Sequence, residues 1–173
     1  MTPSDRALFG ALAADQLVAL TAYLEARNQR SEGIQLVCSI IKNRHDLWKR
    51  TYAQVCLAAQ KGRFEFQCFD AEAALACDIA AHWESRLASD KALTLCFAVS
   101  QSTIEGSIPS NVGPSTFYER FDCASPWFQR QIKAGKLYEY CQIGDHVAYA
   151  EARFLTAPRI AVLKARAKEE KTS

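Results

Sequence analysis

At 173 residues the chain suits one domain that buries roughly 70% of its unfolded surface. With 49% hydrophobic and 23% charged residues it has the composition of an ordinary globular protein. The formal net charge of +2 is too balanced for a strong nucleic-acid binder, and no apolar run is long enough to span a bilayer. We therefore expect no nucleic-acid partner and no stable membrane insertion. The first fourteen residues lack a basic n-region and carry Asp5, so they do not read as a signal peptide.

Seven cysteines stand at positions 38, 56, 68, 77, 96, 123 and 141, with no CxxC pair among them. Several sit among apolar neighbours, as in Val37-Cys38, Val55-Cys56 and Leu95-Cys96. They read as small buried hydrophobes of a chain made in a reducing compartment. Without ligand spacing, no metal site and no cofactor are expected.

Taken in order, residues 2–14 predict a short helix or an extended lead-in. Asp15 to about Arg27 is amphipathic, with Leu17, Leu20, Thr21 and Leu24 on one stripe and Glu25 on its flank beside Val18. Asn28-Gln29-Arg30 breaks this helix, and Ser31 reads as the N-cap of the next, with Glu32 in its first turn. That helix, about 32–48, is apolar over a wide arc through Ile34, Val37, Cys38, Ile40, Ile41 and Trp48. A helix apolar over so much of its circumference is expected at the centre of the fold.

Arg44 falls in the middle of that arc and Asn43 at its edge. A charge there either snorkels out along its stem or is a buried structural arginine that ties loops together. Residues 51–60 predict a short helix closed by Lys61-Gly62. Residues 63–69 alternate aromatic and polar, an extended period. Asp70 then reads as the cap of a long Ala-rich helix to about Ser89, and Asp90 as the cap of another to about Ile104.

From Gly106 to Ser115 the Gly, Pro, Ser and Asn content predicts a loop. Thr116-Phe117-Tyr118 predicts a short strand, Pro126-Trp127-Phe128 opens a short helix to about Gly135, and 138–149 predicts a small hairpin or turn-strand. Pro158 starts a terminal helix bearing Arg159, Lys164, Arg166 and Lys168. No repeat or linker marks a second domain. The expectation is one domain over 1–173, with a core of about 17–150 and a terminal helix and tail at 157–173.

A set of short motifs runs through this chain: Glu25-Ala26-Arg27, Glu32-Gly33, Asn43-Arg44, Gln60 with Phe64 or Phe66, Thr116-Phe117-Tyr118, Pro126-Trp127 and Gly144-Asp145-His146. In order and spacing they resemble the cell-wall-hydrolase family of the spore-cortex-lytic type, which also supplies phage endolysins. The resemblance implies a mainly α, α+β fold that is lysozyme-like, with helices around a central one and a small β element. It implies cleavage of the MurNAc–GlcNAc bond of peptidoglycan, with glycan strands as the partner. Two departures stand out. Asn28-Gln29 replaces the family's Gly-Glu, so a second carboxylate close to Glu25 is missing. Residues 68–105 are long and helical compared with compact members, which suggests an insertion that shapes the groove.

The residue types fit this chemistry independently. A carboxylate half sunk in apolar surroundings can be a proton donor near neutral pH. A hydrolase needs a second carboxylate, whereas a transglycosylase uses one Glu as acid and then as base against the sugar's 6-hydroxyl. With Glu25 alone, a lytic transglycosylase is expected. A hydrolytic muramidase is the alternative, with Glu32 or Glu65 activating water, and a non-enzymatic glycan-binding module is a third reading. Glu32 is either a charge on a helix dipole or an orienting group. Arg44 should bond away from Glu25, since direct pairing would spoil an acid. Phe66, Phe117, Tyr118 and Trp127 are core residues or sugar platforms, with Gln60 and Thr116 as hydrogen-bonding partners and His146 either structural or substrate-positioning. The terminal helix is a solvated helix or one whose cations help at an anionic envelope. The whole reads as a monomeric endolysin made in a host cytoplasm and acting on the wall in the periplasm.

Overall fold

A computed structural model describes residues 3–60, 63–122 and 125–169. The chain is mainly helical, with ten helices among the described residues and a small antiparallel sheet. The expected α+β class is seen at that level.

The N-terminal half is helical: α1 (Pro3–Gly10), α2 (Ala14–Ala26), α3 (Ser31–Trp48) and α4 (Tyr52–Cys56). A two-residue ribbon, β1 (Ala59–Gln60) with β2 (Arg63–Phe64), leads to α5 (Cys68–Ala71), α6 (Ala73–Ala81), α7 (Trp83–Ser89) and α8 (Lys91–Glu105). After a loop come β3 (Phe117–Arg120), α9 (Pro126–Lys133), β4 (Leu137–Ile143), β5 (His146–Glu151) and α10 (Ala157–Glu169).

The most enclosed helix is α2, not α3 as the wide apolar arc suggested. Every residue from Leu17 to Leu24 is buried, as is Ala26, so its amphipathic reading is corrected too. Its neighbours are α3, α4, α5, α6 and α8. Ala19, Ala22 and Ala26 leave room for partners to approach on all sides. Its buried Thr21 hydroxyl is satisfied by donating to the Leu17 carbonyl at 2.8 Å. The helix α3 is second in burial, and its inner face runs from Gly33 to Arg44.

Residues 68–105, expected to shape the groove, pack into the core instead. α8 packs on both α2 and α3 and places Leu93 and Cys96 in the main core. Asp90 caps it as expected, accepting from the amides of Ala92 at 2.9 Å and Leu93 at 3.1 Å, and it also accepts from the Tyr23 hydroxyl at 2.7 Å. The single long helix expected from Asp70 is three short ones. The chain turns at Glu72 and His82, each with φ −122°, and Asp70 lies inside α5 rather than capping it. Neither break carries Gly or Pro, so the sequence gives no stop signal there.

Two smaller boundaries also move. α3 starts one residue early, with Arg30 at the N-cap and Ser31 as its first helical residue. The 51–60 helix stops at Cys56, because residues 59–60 pair with 63–64 instead. The sheet has the order β3-β5-β4, all antiparallel. Its central strand β5 is buried from His146 to Ala150. The β4–β5 turn contains Gly144 at φ 56°.

The cations of α10 serve an internal purpose. Arg159 stacks on Tyr140 and Lys164 on Tyr138, both tyrosines of β4, and Arg166 donates to the Tyr140 carbonyl at 3.3 Å. No helix among the described residues is long and apolar enough to cross a membrane.

Six cysteines are free thiols, four of them buried, and Cys123 lies outside the described residues. Burial raises the thiols of Cys56 and Cys96 to about 12, which keeps them protonated and unreactive. Adding or withholding reducing agent should leave the thermal unfolding midpoint unchanged. A drop of several degrees on reduction would show a disulfide that is not seen among the described residues.

Candidate functional site

The site begins at the end of α2. Glu25 is the one residue between Leu17 and Ala26 that keeps partial access to solvent. Its Oε2 accepts a hydrogen bond from the Tyr118 hydroxyl at 2.8 Å, a link between residues 93 apart in the chain. Burial, then the charge of Glu25, holds the Tyr118 hydroxyl well above its ordinary pKa, so it remains a donor at any working pH. The Cys68 thiol is close enough to be raised by burial and then by the Glu25 charge. His146 stands edge-on to the Tyr118 ring at 5.2 Å.

What carries Tyr118 to Glu25 is a pair of adjacent residues on α3. Asn43 donates to the carbonyls of Gly113 and Ser115, both at 2.7 Å. Arg44 donates from Nε to the Thr116 carbonyl at 2.6 Å. Arg44 is only 7% exposed and is the buried structural arginine, not a snorkelling one. Its guanidinium lies over the rings of Trp48, Phe66 and Phe117 at 5.0–5.2 Å and is 3.6 Å from Glu65. Burial lowers its pKa from the ordinary value and Glu65 opposes that. Its hydrogen bond goes to Thr116, not to Glu25.

The rest of the Glu25 turn is tied down as well. Arg27 makes a bidentate pair with Glu72 at 3.2 and 2.7 Å, which fixes the start of α6 to the end of α2. Gln29, where the resemblance expects a second carboxylate, donates to Asp145 at 3.4 Å. Gln29 also explains two motif glycines. A Cβ on Gly33 would sit 2.6 Å from the Gln29 Cβ, and one on Gly144 would sit 3.0 Å from its Oε1. Gln29 is thus wedged between the α2–α3 turn and the β4–β5 turn.

Two clefts flank Tyr118 and the Glu25 turn. The larger, about 790 Å³, is lined by Trp48, Phe117, Tyr118, Trp127 and Phe128, with Arg44, Arg50, Glu65, Glu151 and Arg153. The smaller, about 510 Å³, is lined by residues 28–30 and 32–33 and by residues 143–145. Glu25 is in the wall of neither. Its link to the larger cleft is the hydrogen bond from Tyr118, which lines that cleft.

The expected sugar contacts divide accordingly. Phe117, Tyr118 and Trp127 line the larger cleft, with Trp127 41% exposed. Phe66 is not a sugar platform: it is 3% exposed and lies beneath Arg44. Thr116 is not a free hydrogen-bonding group either. It is fully buried, its carbonyl is taken by Arg44, and its hydroxyl donates to Glu151 at 3.0 Å. His146 is buried, and its Nδ1 has no hydrogen-bond partner among the described residues. Glu32 lines the smaller cleft and accepts from the Ser31 hydroxyl at 3.2 Å. The side chains of Gln60 and Phe64 lie outside the described residues.

Sequence reasoning passed over Glu151. It accepts from Trp48 Nε1 at 2.7 Å and Thr116 Oγ1 at 3.0 Å, and pairs with Arg153 at 2.8 Å. Both of its oxygens are occupied, so it is a structural carboxylate of the cleft floor. Glu72 was passed over too, because an ion pair across forty-five positions leaves no local pattern. No group of three His, Cys, Asp or Glu among the described residues is placed to hold a metal ion. Compared with known protein families, curated proteins and solved structures, the chain matches none.

Two expectations follow from this geometry. Arg44→Ala should cost at least about 2 kcal/mol in urea unfolding, because it leaves the buried Thr116 carbonyl without its donor and empties the space among three rings. A loss below about 1 kcal/mol would contradict the tie. The second concerns acid. Burial lowers the His146 pKa from about 6.5, with Glu25 and Asp145 opposing and Arg120 reinforcing. The unfolded chain therefore takes up this proton first, so its contribution is complete above about 6.5 and is lost as pH falls through the lower folded value. The urea midpoint of His146→Gln should fall less steeply between roughly pH 7 and pH 5 than that of the parent. Parallel slopes would remove His146 from this role.

Proposed function

We propose that the chain is a peptidoglycan-cleaving enzyme of the spore-cortex-lytic type, a lytic transglycosylase with Glu25 as its acid and base. The observation that carries this reading is the 2.8 Å bond from Tyr118 to Glu25. It joins motifs at opposite ends of the chain around one carboxylate, and Asn43-Arg44 and His146 converge on the same strands. A helical body with a small antiparallel sheet beside the carboxylate also fits a lysozyme-like fold. The aromatic wall of the adjoining cleft suits the apolar faces of sugar rings.

In this reading Glu25, which meets the larger cleft through Tyr118, gives a proton to the glycosidic oxygen as the C1–O bond breaks. The sugar's own 6-hydroxyl then attacks C1, and its proton returns to Glu25, closing a 1,6-anhydro ring with no water consumed. That hydroxyl is tethered beside the reacting carbon, so its effective concentration is high. The residues around Glu25 favour this route over hydrolysis. Gln29 replaces the missing carboxylate and is committed to Asp145, and Glu151 is saturated. On the same resemblance, the reading extends to a monomeric phage or prophage endolysin that reaches the periplasmic wall from the host cytoplasm.

One observation favours a second reading. Glu65 lines the larger cleft with Tyr118, its one ion pair among the described residues being with Arg44 at 3.6 Å, and a carboxylate there could activate water as in a muramidase. Mass spectrometry of a wall digest separates the two. We expect mainly 1,6-anhydro-muramyl ends and no lysis by Glu25→Gln, which should keep the parent's thermal midpoint. Reducing ends as the main product would replace the transglycosylase by a muramidase. Lysis within about tenfold of the parent in Glu25→Gln would remove Glu25 as the acid.

A further inference from the structure

The larger cleft carries a positive charge that its own carboxylates do not answer. Three arginines and two glutamates line it. Arg44 is matched by Glu65, and Arg153 by Glu151. Arg50 has no ion-pair partner among the described residues and is exposed. It is nevertheless held in place. Its guanidinium stacks on the Trp48 ring at 5.3 Å, on an indole that Arg44 also contacts and whose N–H is fixed by Glu151 at 2.7 Å.

The backbone that presents Arg50 is unusual. Lys49 is the only non-glycine residue with positive φ among those described, at 56°. The left-handed turn it makes ends α3 and brings the Arg50 amide back to the His45 carbonyl at 3.3 Å. A residue other than glycine in this conformation is sterically costly and marks a constrained position. Here the turn sets Arg50 at the rim of the cleft, stacked and unpaired.

A stacked, pre-oriented guanidinium beside an aromatic wall is a carboxylate receptor. We propose that Arg50 binds a free carboxylate of the stem peptide on the muramic acid residue, so that the cleft selects peptide-bearing glycan over bare glycan. This rests on the peptidoglycan reading above. Trp127 and Phe117 then take the apolar surface of the same substrate, and Arg50 determines specificity without touching the reacting atoms.

The test compares uncross-linked glycan strands that carry stem peptides with the same strands stripped by an amidase. The parent should show a KM about tenfold or more higher on the stripped strands. In Arg50→Gln that ratio should collapse to within about twofold, and Arg50→Lys should restore part of it. Equal KM values in the parent, or an unchanged ratio in Arg50→Gln, would overturn the proposal. A second readout needs no turnover. Titrating Glu25→Gln with free muramyl tripeptide should change the fluorescence of Trp48 and Trp127, and the change should vanish when Arg50→Gln is added. Binding of this kind by a protein whose parent does not cleave wall would sink the enzyme reading and keep the carboxylate site. Cleavage without peptide preference would do the reverse.

Discussion

Two neighbouring side chains on α3 hold the two halves of this protein in register. Asn43 and Arg44 together accept the job of satisfying three main-chain carbonyls, those of Gly113, Ser115 and Thr116. These carbonyls lie where the long loop after α8 becomes β3. A sheet of three short strands has little independent stability, so it needs a helix surface to rest on. Side-chain donors supply direction that apolar contact alone lacks. Burying a guanidinium is costly, but here the cost is offset by a 2.6 Å bond, three ring faces and a carboxylate at 3.6 Å.

The consequence is felt two residues further on. Once Thr116 is pinned, Tyr118 emerges on the face of β3 that meets the end of α2, and its hydroxyl reaches Glu25. On the opposite side of the same carboxylate region, Arg27 with Glu72 and Gln29 with Asp145 fix the turn after α2. Glu25 is therefore held by groups from both the helical body and the sheet. Of the two clefts, one is aromatic and rich in arginine, and the other is framed by the two tight turns. In the proposed enzyme this is how a single carboxylate is fixed at the end of α2 through Tyr118, which lines the aromatic cleft.

Much of the helical body can be read from the chain itself. Asp90 and Thr51 cap as their types suggest, Ser125 with Pro126 starts α9, and Gly106 and Gly144 turn where positive φ is needed. The oddity of Arg44 in an apolar arc is visible because a charge on such a face demands a partner. Its partner is not visible, since backbone carbonyls carry no sequence signature. The same limit hides Glu72 and Glu151, which act across long separations. The breaks at Glu72 and His82 interrupt an Ala-rich run with no Gly or Pro, so tertiary packing overrides propensity there. The enclosure of α2 is hidden for a related reason: alanines read as neutral, although their small size is what lets five helices close on it. For the aromatics, residue type cannot separate a wall from a floor. Phe66 and Phe117 both contact Arg44, yet only Phe117 lines the cleft.

In the proposed enzyme, Asn43 acts on the chemistry through the strand that brings Tyr118 to Glu25. A double-mutant cycle on wall cleavage tests it most directly, with kcat/KM measured for the parent, Asn43→Ala, Tyr118→Phe and the double variant. If Asn43 works by placing the Tyr118 hydroxyl, its removal should cost little more once that hydroxyl is gone. The two losses should then be strongly less than additive. Losses that simply add would mean that Asn43 and Tyr118 serve the enzyme independently and that the strand does not couple them.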